Sequence, residues 1–127
     1  MKYEFDNNMP IYIQLVELLK KEIISGVMKP GERIPSVRDL SFKFKVNPNT
    51  LQKALGELEN MKLIYTERTN CKFVTNDYKL INKFQDKYAN ELIDKFINDM
   101  ENIGIKKSEI INYIKSKGEN NGIIRVY

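Results

Sequence analysis

The stretch Pro35–Glu59, PSVRDLSFKFKVNPNTLQKALGELE, decides the fold. Ser36 and Asp39 form an S-x-x-D pattern, in which the serine hydroxyl accepts from the backbone N–H three residues on and opens a helix. Val37, Leu40 and Phe44 follow at i, i+3 and i+7, the buried side of that helix, and leave Arg38 free to reach outward. Lys45-Val46 is a turn, and Asn47-Pro48 restarts the helix, with Asn47 as N-cap and Pro48 at the first position. Leu51, Ala54, Leu55 and Leu58 then recur at i, i+3, i+4 and i+7 and pack inward. Asn49, Thr50, Gln52 and Lys53 occupy the other positions of the opening turns. Two short amphipathic helices joined by a tight turn are the layout of a helix-turn-helix, whose second helix enters a DNA major groove.

Charge agrees with that reading. Residues 1–75 carry 12 basic and 9 acidic side chains, against 9 and 8 in residues 76–127, and the net charge of the chain is +4. Within Arg38–Lys53 the only acid is Asp39, facing Arg38, Lys43, Lys45 and Lys53. A moderate basic bias permits an acidic partner without demanding one, and here it is centred on the proposed reading unit.

Composition removes most alternatives. The chain has 127 residues, 42% hydrophobic and 30% charged, which suits one domain or one small domain with an appendage. A single cysteine, Cys71, excludes an internal disulfide and a cysteine metal cluster. The absence of histidine removes the usual general base and the commonest zinc ligand. Cys71 therefore has no histidine base, Glu57 and Glu59 face different ways on a helix, and no Gly-rich phosphate loop is present. Cys71 beside Lys72 invites a redox reading, but a single cysteine is usually incidental. The expectation is no enzyme, no metal and no cofactor. MKYEFDNNMP lacks an apolar signal core and no stretch approaches the ~18 apolar residues of a membrane span, so a cytoplasmic protein is expected.

Outward from the central stretch, Pro10 suits a first helical position, and Ile11, Leu15, Leu18, Leu19 and Ile23 form one stripe that ends before Gly26. A first helix over roughly 10–25 follows. Pro30-Gly31 is a turn, and Pro35 closes any extended segment around Glu32–Ile34. After Asn60-Met61-Lys62, the β-prone runs LIYTE and CKFV flank Arg68-Thr69-Asn70 and predict a hairpin. A hairpin directly after the third helix is the wing of a winged helix.

In the last third, Tyr78, Ile81, Phe84, Tyr88, Leu92, Phe96, Met100 and Ile103 recur every three or four residues, with Ile93 and Ile97 widening the stripe. This predicts a long helix over roughly 77–102, ended by Gly104, then a short helix through Ile110, Ile111 and Ile114 to about Lys117. The tail GENNGIIRVY reads as a frayed end or a small strand. So long an apolar face cannot be buried on so small a body, and pairing between two copies is the natural resolution. The alternative is that it folds back entirely onto its own winged helix. The expected fold is mainly α with a small β-hairpin: a winged helix-turn-helix over 1–76, then a helical dimerisation region over 77–127. Tyr78, Ile81, Phe84, Tyr88, Leu92, Phe96 and Met100 are the expected dimerisation residues.

These residues resemble the GntR family of bacterial transcription regulators. The matching signature is PIYIQL in helix 1, SGVMKPGERIPSVRDLS across the first turn, VNPNTLQKALGELE for the recognition helix, and FV closing the wing. The short two-helix remainder is similar to the YtrA subfamily, whose members lack a large effector domain and pair through C-terminal helices. By this resemblance Arg38 is the family's helix 2 arginine, approaching backbone or base. Asn47, Asn49, Thr50, Gln52 and Lys53 fill contact positions, and Arg68, Thr69, Asn70, Cys71 and Lys72 align with the wing. Three departures stand out. Lys45 replaces a common turn glycine, Thr69 and Cys71 replace both wing glycines, and Gln52 stands where some relatives carry arginine, favouring adenine over guanine.

The expected DNA-facing set is Ser36, Arg38, Lys43, Asn47, Asn49, Thr50, Gln52, Lys53, Arg68, Asn70 and Lys72. It implies a sequence-specific regulator, a repressor by preference, bound as a homodimer to a palindromic double-stranded DNA operator. The resemblance further implies membrane-transporter genes as targets. Two other classes stay open: a DNA-binding module without sequence preference, such as an architectural protein, and a winged helix that binds protein. A small apolar effector among Tyr78, Phe84, Tyr88 and Phe96 is conceivable, but nothing in the sequence indicates one.

Overall fold

The computed structural model describes residues 4–67 and 70–121, in the order α1 (Ile11–Ser25), α2 (Val37–Phe44), α3 (Pro48–Asn60), β1 (Ile64–Thr66), β2 (Lys72–Val74), α4 (Tyr78–Asn102) and α5 (Lys107–Asn121). It divides into two compact units, Met1–Gln85 and Asp86–Tyr127.

The first unit is three helices and a hairpin. Leu15, Leu19 and Ile23 of α1, Leu40 of α2, and Leu51, Ala54, Leu55 and Leu58 of α3 meet Leu63, Ile64 and Val74 in one buried cluster. Each fully buried leucine contributes about 1.5–3 kcal/mol, more than the ~1 kcal/mol of a helix cap. The core therefore sets the packing, and the caps set where each helix begins and ends. Gln14 is the polar exception: its Nε2 donates to the Asp6 and Met9 carbonyls at 2.7 and 3.0 Å, and its Oε1 accepts from Asp6 N at 2.7 Å. This buried amide ties the segment before α1 to the helix with its bonds satisfied.

The helix ends follow local chemistry. Gly26 closes α1 at φ +85°, as the C-terminal stop requires. β1 and β2 pair antiparallel, with Tyr65 opposite Phe73 and Thr66 opposite Lys72. The extended residues before α2 join them, because Ile34 N donates to Lys72 O at 2.8 Å and Val74 N to Glu32 O at 2.9 Å. Pro35, which has no N–H to donate, ends that pairing. Gly31 sits at φ +80° in the preceding turn, where a Cβ would meet Asn76 Oδ1 at 2.7 Å.

Residues 78–85 of α4 belong to the first unit, where Ile81 joins the core and Leu80 and Phe84 pack against it. The second unit holds the rest of α4, the turn at Gly104 (φ +87°) and α5. α5 runs on through Gly118 to Asn121, beyond the end at Lys117 that its apolar spacing suggests. Arg68 and Thr69 of the wing, and the tail after Asn121, lie outside the described residues.

Candidate nucleic-acid interface

The α2–turn–α3 unit is built by two side-chain caps and one left-handed residue. Ser36 Oγ accepts from Asp39 N at 3.1 Å and opens α2. Lys45, at φ 55° and ψ 49°, takes the left-handed conformation that ends it. Asn47 Oδ1 accepts from Asn49 N at 2.7 Å and opens α3, with Pro48 in its first turn. The turn position commonly held by glycine does need positive φ, so Lys45 carries a local cost of about 1–2 kcal/mol.

These caps aim the opening of α3 outward. Leu51, Ala54, Leu55 and Leu58 are buried, while Asn49, Gln52 and Lys53 are exposed and Thr50 is half-buried. Ser36, Arg38, Lys43 and Asn47 are also exposed. Lys53 is held: its Nζ lies 3.8 Å from the centroid of the Tyr12 ring on α1. Lys43 sits more loosely, 5.4 Å over the ring of its neighbour Phe44. A surface of amides and cations at a helix N-terminus suits an anionic backbone and base edges.

The wing is the hairpin that the sequence predicts. Its tip is closed by Glu67 N donating to Cys71 O at 2.8 Å and Asn70 N to Glu67 O at 3.0 Å. Among the described residues of the turn, Asn70 takes a positive φ, 65°. Asparagine tolerates this region better than most residues. Lys72 does not present a loose cation. Its Nζ lies 3.1 Å from Glu59 Oε1 and 2.9 Å from Thr66 Oγ1, and Thr66 donates to Glu59 Oε2 at 2.7 Å. Lys72, expected to face phosphate, is thus also paired with Glu59 of α3. Asn70 is exposed beside it. A signal existed in the strand alternation, which puts Thr66 and Lys72 opposite each other. The 13-residue separation from Glu59 hid the pair.

The residues expected to pair two copies separate into two groups. Ile81, 7% exposed, is part of the winged-helix core, and Phe84 packs beside it under the Lys20 ammonium at 5.9 Å. Gln85 Nε2 donates to Ile24 O at 3.5 Å on the same junction. Ile81 is thus withdrawn from any outer surface, because α4 is still packing on its own domain there. Tyr78 is exposed and Tyr88 half-buried. In the second unit Leu92, Ile93, Phe96 and Ile103 are exposed and Met100 is half-buried. Ile111, Tyr113 and Ile114 of α5 add to this apolar exposure, while Ile110 is buried. Periodicity had marked Ile111 and Ile114 only as helix formers.

Comparisons with known proteins agree with this architecture. The family model "Bacterial regulatory proteins, gntR family" matches residues 11–74, from the start of α1 to the end of β2. The transcriptional repressor YtrA of Bacillus subtilis is 32% identical over 107 residues, 84% of this chain and 82% of its own length. A GntR family regulator from Listeria monocytogenes superposes with a TM-score of 0.79 at 39% identity, covering 88% of this chain and 98% of that one. The AraR DNA-binding domain, solved in complex with operator ORX1, superposes with a TM-score of 0.51 at 29% identity, over 59% of this chain and 92% of that one. Among the described residues no helix is long and apolar enough to cross a membrane.

Proposed function

The chain belongs to the gntR family of bacterial regulatory proteins, DNA-binding transcription regulators rather than enzymes, and from that premise we propose that it is a repressor acting as a homodimer on a palindromic operator. The observation that carries the reading is the outward face of α3: Asn49, Gln52 and Lys53 exposed over a fully buried Leu51, Ala54, Leu55 and Leu58. In this reading Asn49, Thr50 and Gln52 meet base edges, while Arg38, Lys43 and Lys53 hold phosphates and fix the register. Asn47 serves as cap, with its N-terminal backbone groups available to a phosphate.

The domain division follows function. Residues 1–76 read DNA, and residues 77–127 hold two copies together through the exposed apolar faces of α4 and α5. A two-fold dimer presents two α3 helices, so its operator has two inverted half-sites. Repression then follows from occluding polymerase.

Selection of bound duplexes from random DNA tests the reading. The expected product is an inverted repeat, retained in preference to random duplex at about 0.15 M salt, where non-specific electrostatic binding is weakened. Equal affinity for selected and random duplexes would replace the specific reading with an architectural one. Unchanged DNA binding by Gln52→Ala and Lys53→Ala would point instead to protein as the partner of this face.

A further inference from the structure

We propose that Tyr12, on α1 and outside the helix-turn-helix, is a positioning residue for DNA binding that acts through Lys53. The inference rests on the DNA-binding reading of α3 and adds a residue to it. Lys53 Nζ stands 3.8 Å from the Tyr12 ring centroid, well inside the ~6 Å reach of a cation–π contact. Lys53 is exposed on the face of α3 that carries Asn49 and Gln52, and Tyr12 packs partly buried against the core that fixes α1 to α3.

The chemistry follows from the shape of an ammonium group. It carries three N–H donors, and the ring occupies only one side of it. The other side remains open to water in the free protein and to a phosphate oxygen in a complex. Free lysine side chains lose much rotamer freedom when they are fixed. Tyr12 meets that loss in advance, because the ring is anchored by the core and holds the ammonium in one place. The ring also makes no hydrogen bond to the ammonium, so none has to be broken when phosphate arrives. Tyr12 thereby sets where the Lys53 charge meets the backbone, and through it the seating of α3.

The two residues are 41 apart in sequence, on different helices, so the link is a product of the α1–α3 packing.

A double-mutant cycle on the full-length protein and a selected operator duplex tests the proposal. Tyr12→Leu is expected to weaken binding about two- to fivefold in the presence of Lys53. In the Lys53→Gln background the same change is expected to have almost no effect. The same loss in both backgrounds would overturn the proposal and leave Tyr12 a packing residue. Far-UV circular dichroism checks that the variants are folded.

Should Tyr12→Leu unfold, phenylalanines bearing one, two and three fluorines at position 12 provide a second test. Fluorination drains the ring's negative face with little change in size. A stepwise fall in affinity supports the positioning role, and a flat series refutes it. Failure of the wild-type protein to prefer any selected duplex would overturn the DNA-binding reading itself, a result distinct from either.

Discussion

Glu59 and Lys72 stand 3.1 Å apart, joining the last turn of α3 to the second strand of the wing. Thr66 closes the triangle, donating to the carboxylate at 2.7 Å and accepting from the ammonium at 2.9 Å. The wing is therefore fastened to the helix it accompanies. Its one described lysine is engaged in that fastening. An exposed or half-exposed ion pair of this kind contributes about 0.2–1 kcal/mol, so its role is in placing the hairpin more than in holding the fold. Lys72→Gln is expected to leave the salt dependence of operator binding unchanged. A phosphate-bound lysine would lower that slope by about 1. A slope reduced to that extent would return Lys72 to the DNA-contacting set.

The same triangle makes a pH prediction. The Thr66 hydroxyl does most to hold the Glu59 carboxyl below its ordinary value of 4.5, partial burial opposes it, and Lys72 adds to the lowering. A carboxyl whose pKa is depressed by folding stabilises the fold above its unfolded value, and that contribution is lost as pH falls through the folded one. The stability difference between the wild type and Glu59→Gln should thus be constant near neutral pH and shrink below about pH 4.5. Thermal melts of both proteins across pH 3–7 measure it. A difference that persists undiminished at pH 3 would contradict the assignment.

On the proposed reading of α3, Gln52 and Asn49 meet base edges. Gln52 is exposed one turn into α3, with an amide able to pair bidentately with an adenine edge. Gln52→Ala should cost about 1–3 kcal/mol on the selected operator, roughly 5- to 150-fold, and relax selection at one position of each half-site. Arg38→Gln should instead weaken selected and random duplexes alike, as loss of a phosphate contact does. Competition binding with operator variants separates the two behaviours.

Much of the winged helix was legible because its signals are local. Ser36 and Asp39, Asn47 and Pro48, and Gly26 mark helix ends through contacts within three residues, and each marks its end in the structure. What stayed hidden depends on the chain returning to itself. The Glu59–Lys72 pair spans 13 residues, and the Tyr12–Lys53 contact joins two helices. The apolar stripe of α4 was visible, but a constant period carries no mark of where the helix stops packing on its own domain. Ile81 lies before that point and Leu92 beyond it.

Lys45 offers a test of strain. It adopts φ 55° at the end of α2, where a Cβ is unfavourable by about 1–2 kcal/mol. Lys45→Gly relieves that strain but adds freedom to the unfolded chain, worth about 0.4–1 kcal/mol in the other direction. A net gain of about 0.5–1 kcal/mol remains, visible as a higher urea midpoint with an unchanged slope. Lys45→Ala keeps the Cβ and removes the charge, and should gain nothing. A gain from both would assign the effect to charge.

The division within α4 can be read by two substitutions of the same kind. Ile81 is 7% exposed and joins the winged-helix core, so Ile81→Asp buries an unpaired carboxylate among Leu and Ile side chains. Such burial belongs to the class of changes that cost ~4 kcal/mol or more, enough to unfold a domain of marginal stability. Leu92 is 66% exposed on α4 of the second unit, and Leu92→Asp asks nothing of the winged helix. If α4 pairs two copies, Leu92→Asp leaves the far-UV spectrum intact and halves the mass seen by light scattering. It also weakens operator binding by about 10²- to 10⁴-fold, because the second half-site is no longer engaged intramolecularly. Affinity for a single half-site should be unaffected. A Leu92→Asp protein that keeps the mass and operator affinity of the wild type would exclude this face as the dimer interface.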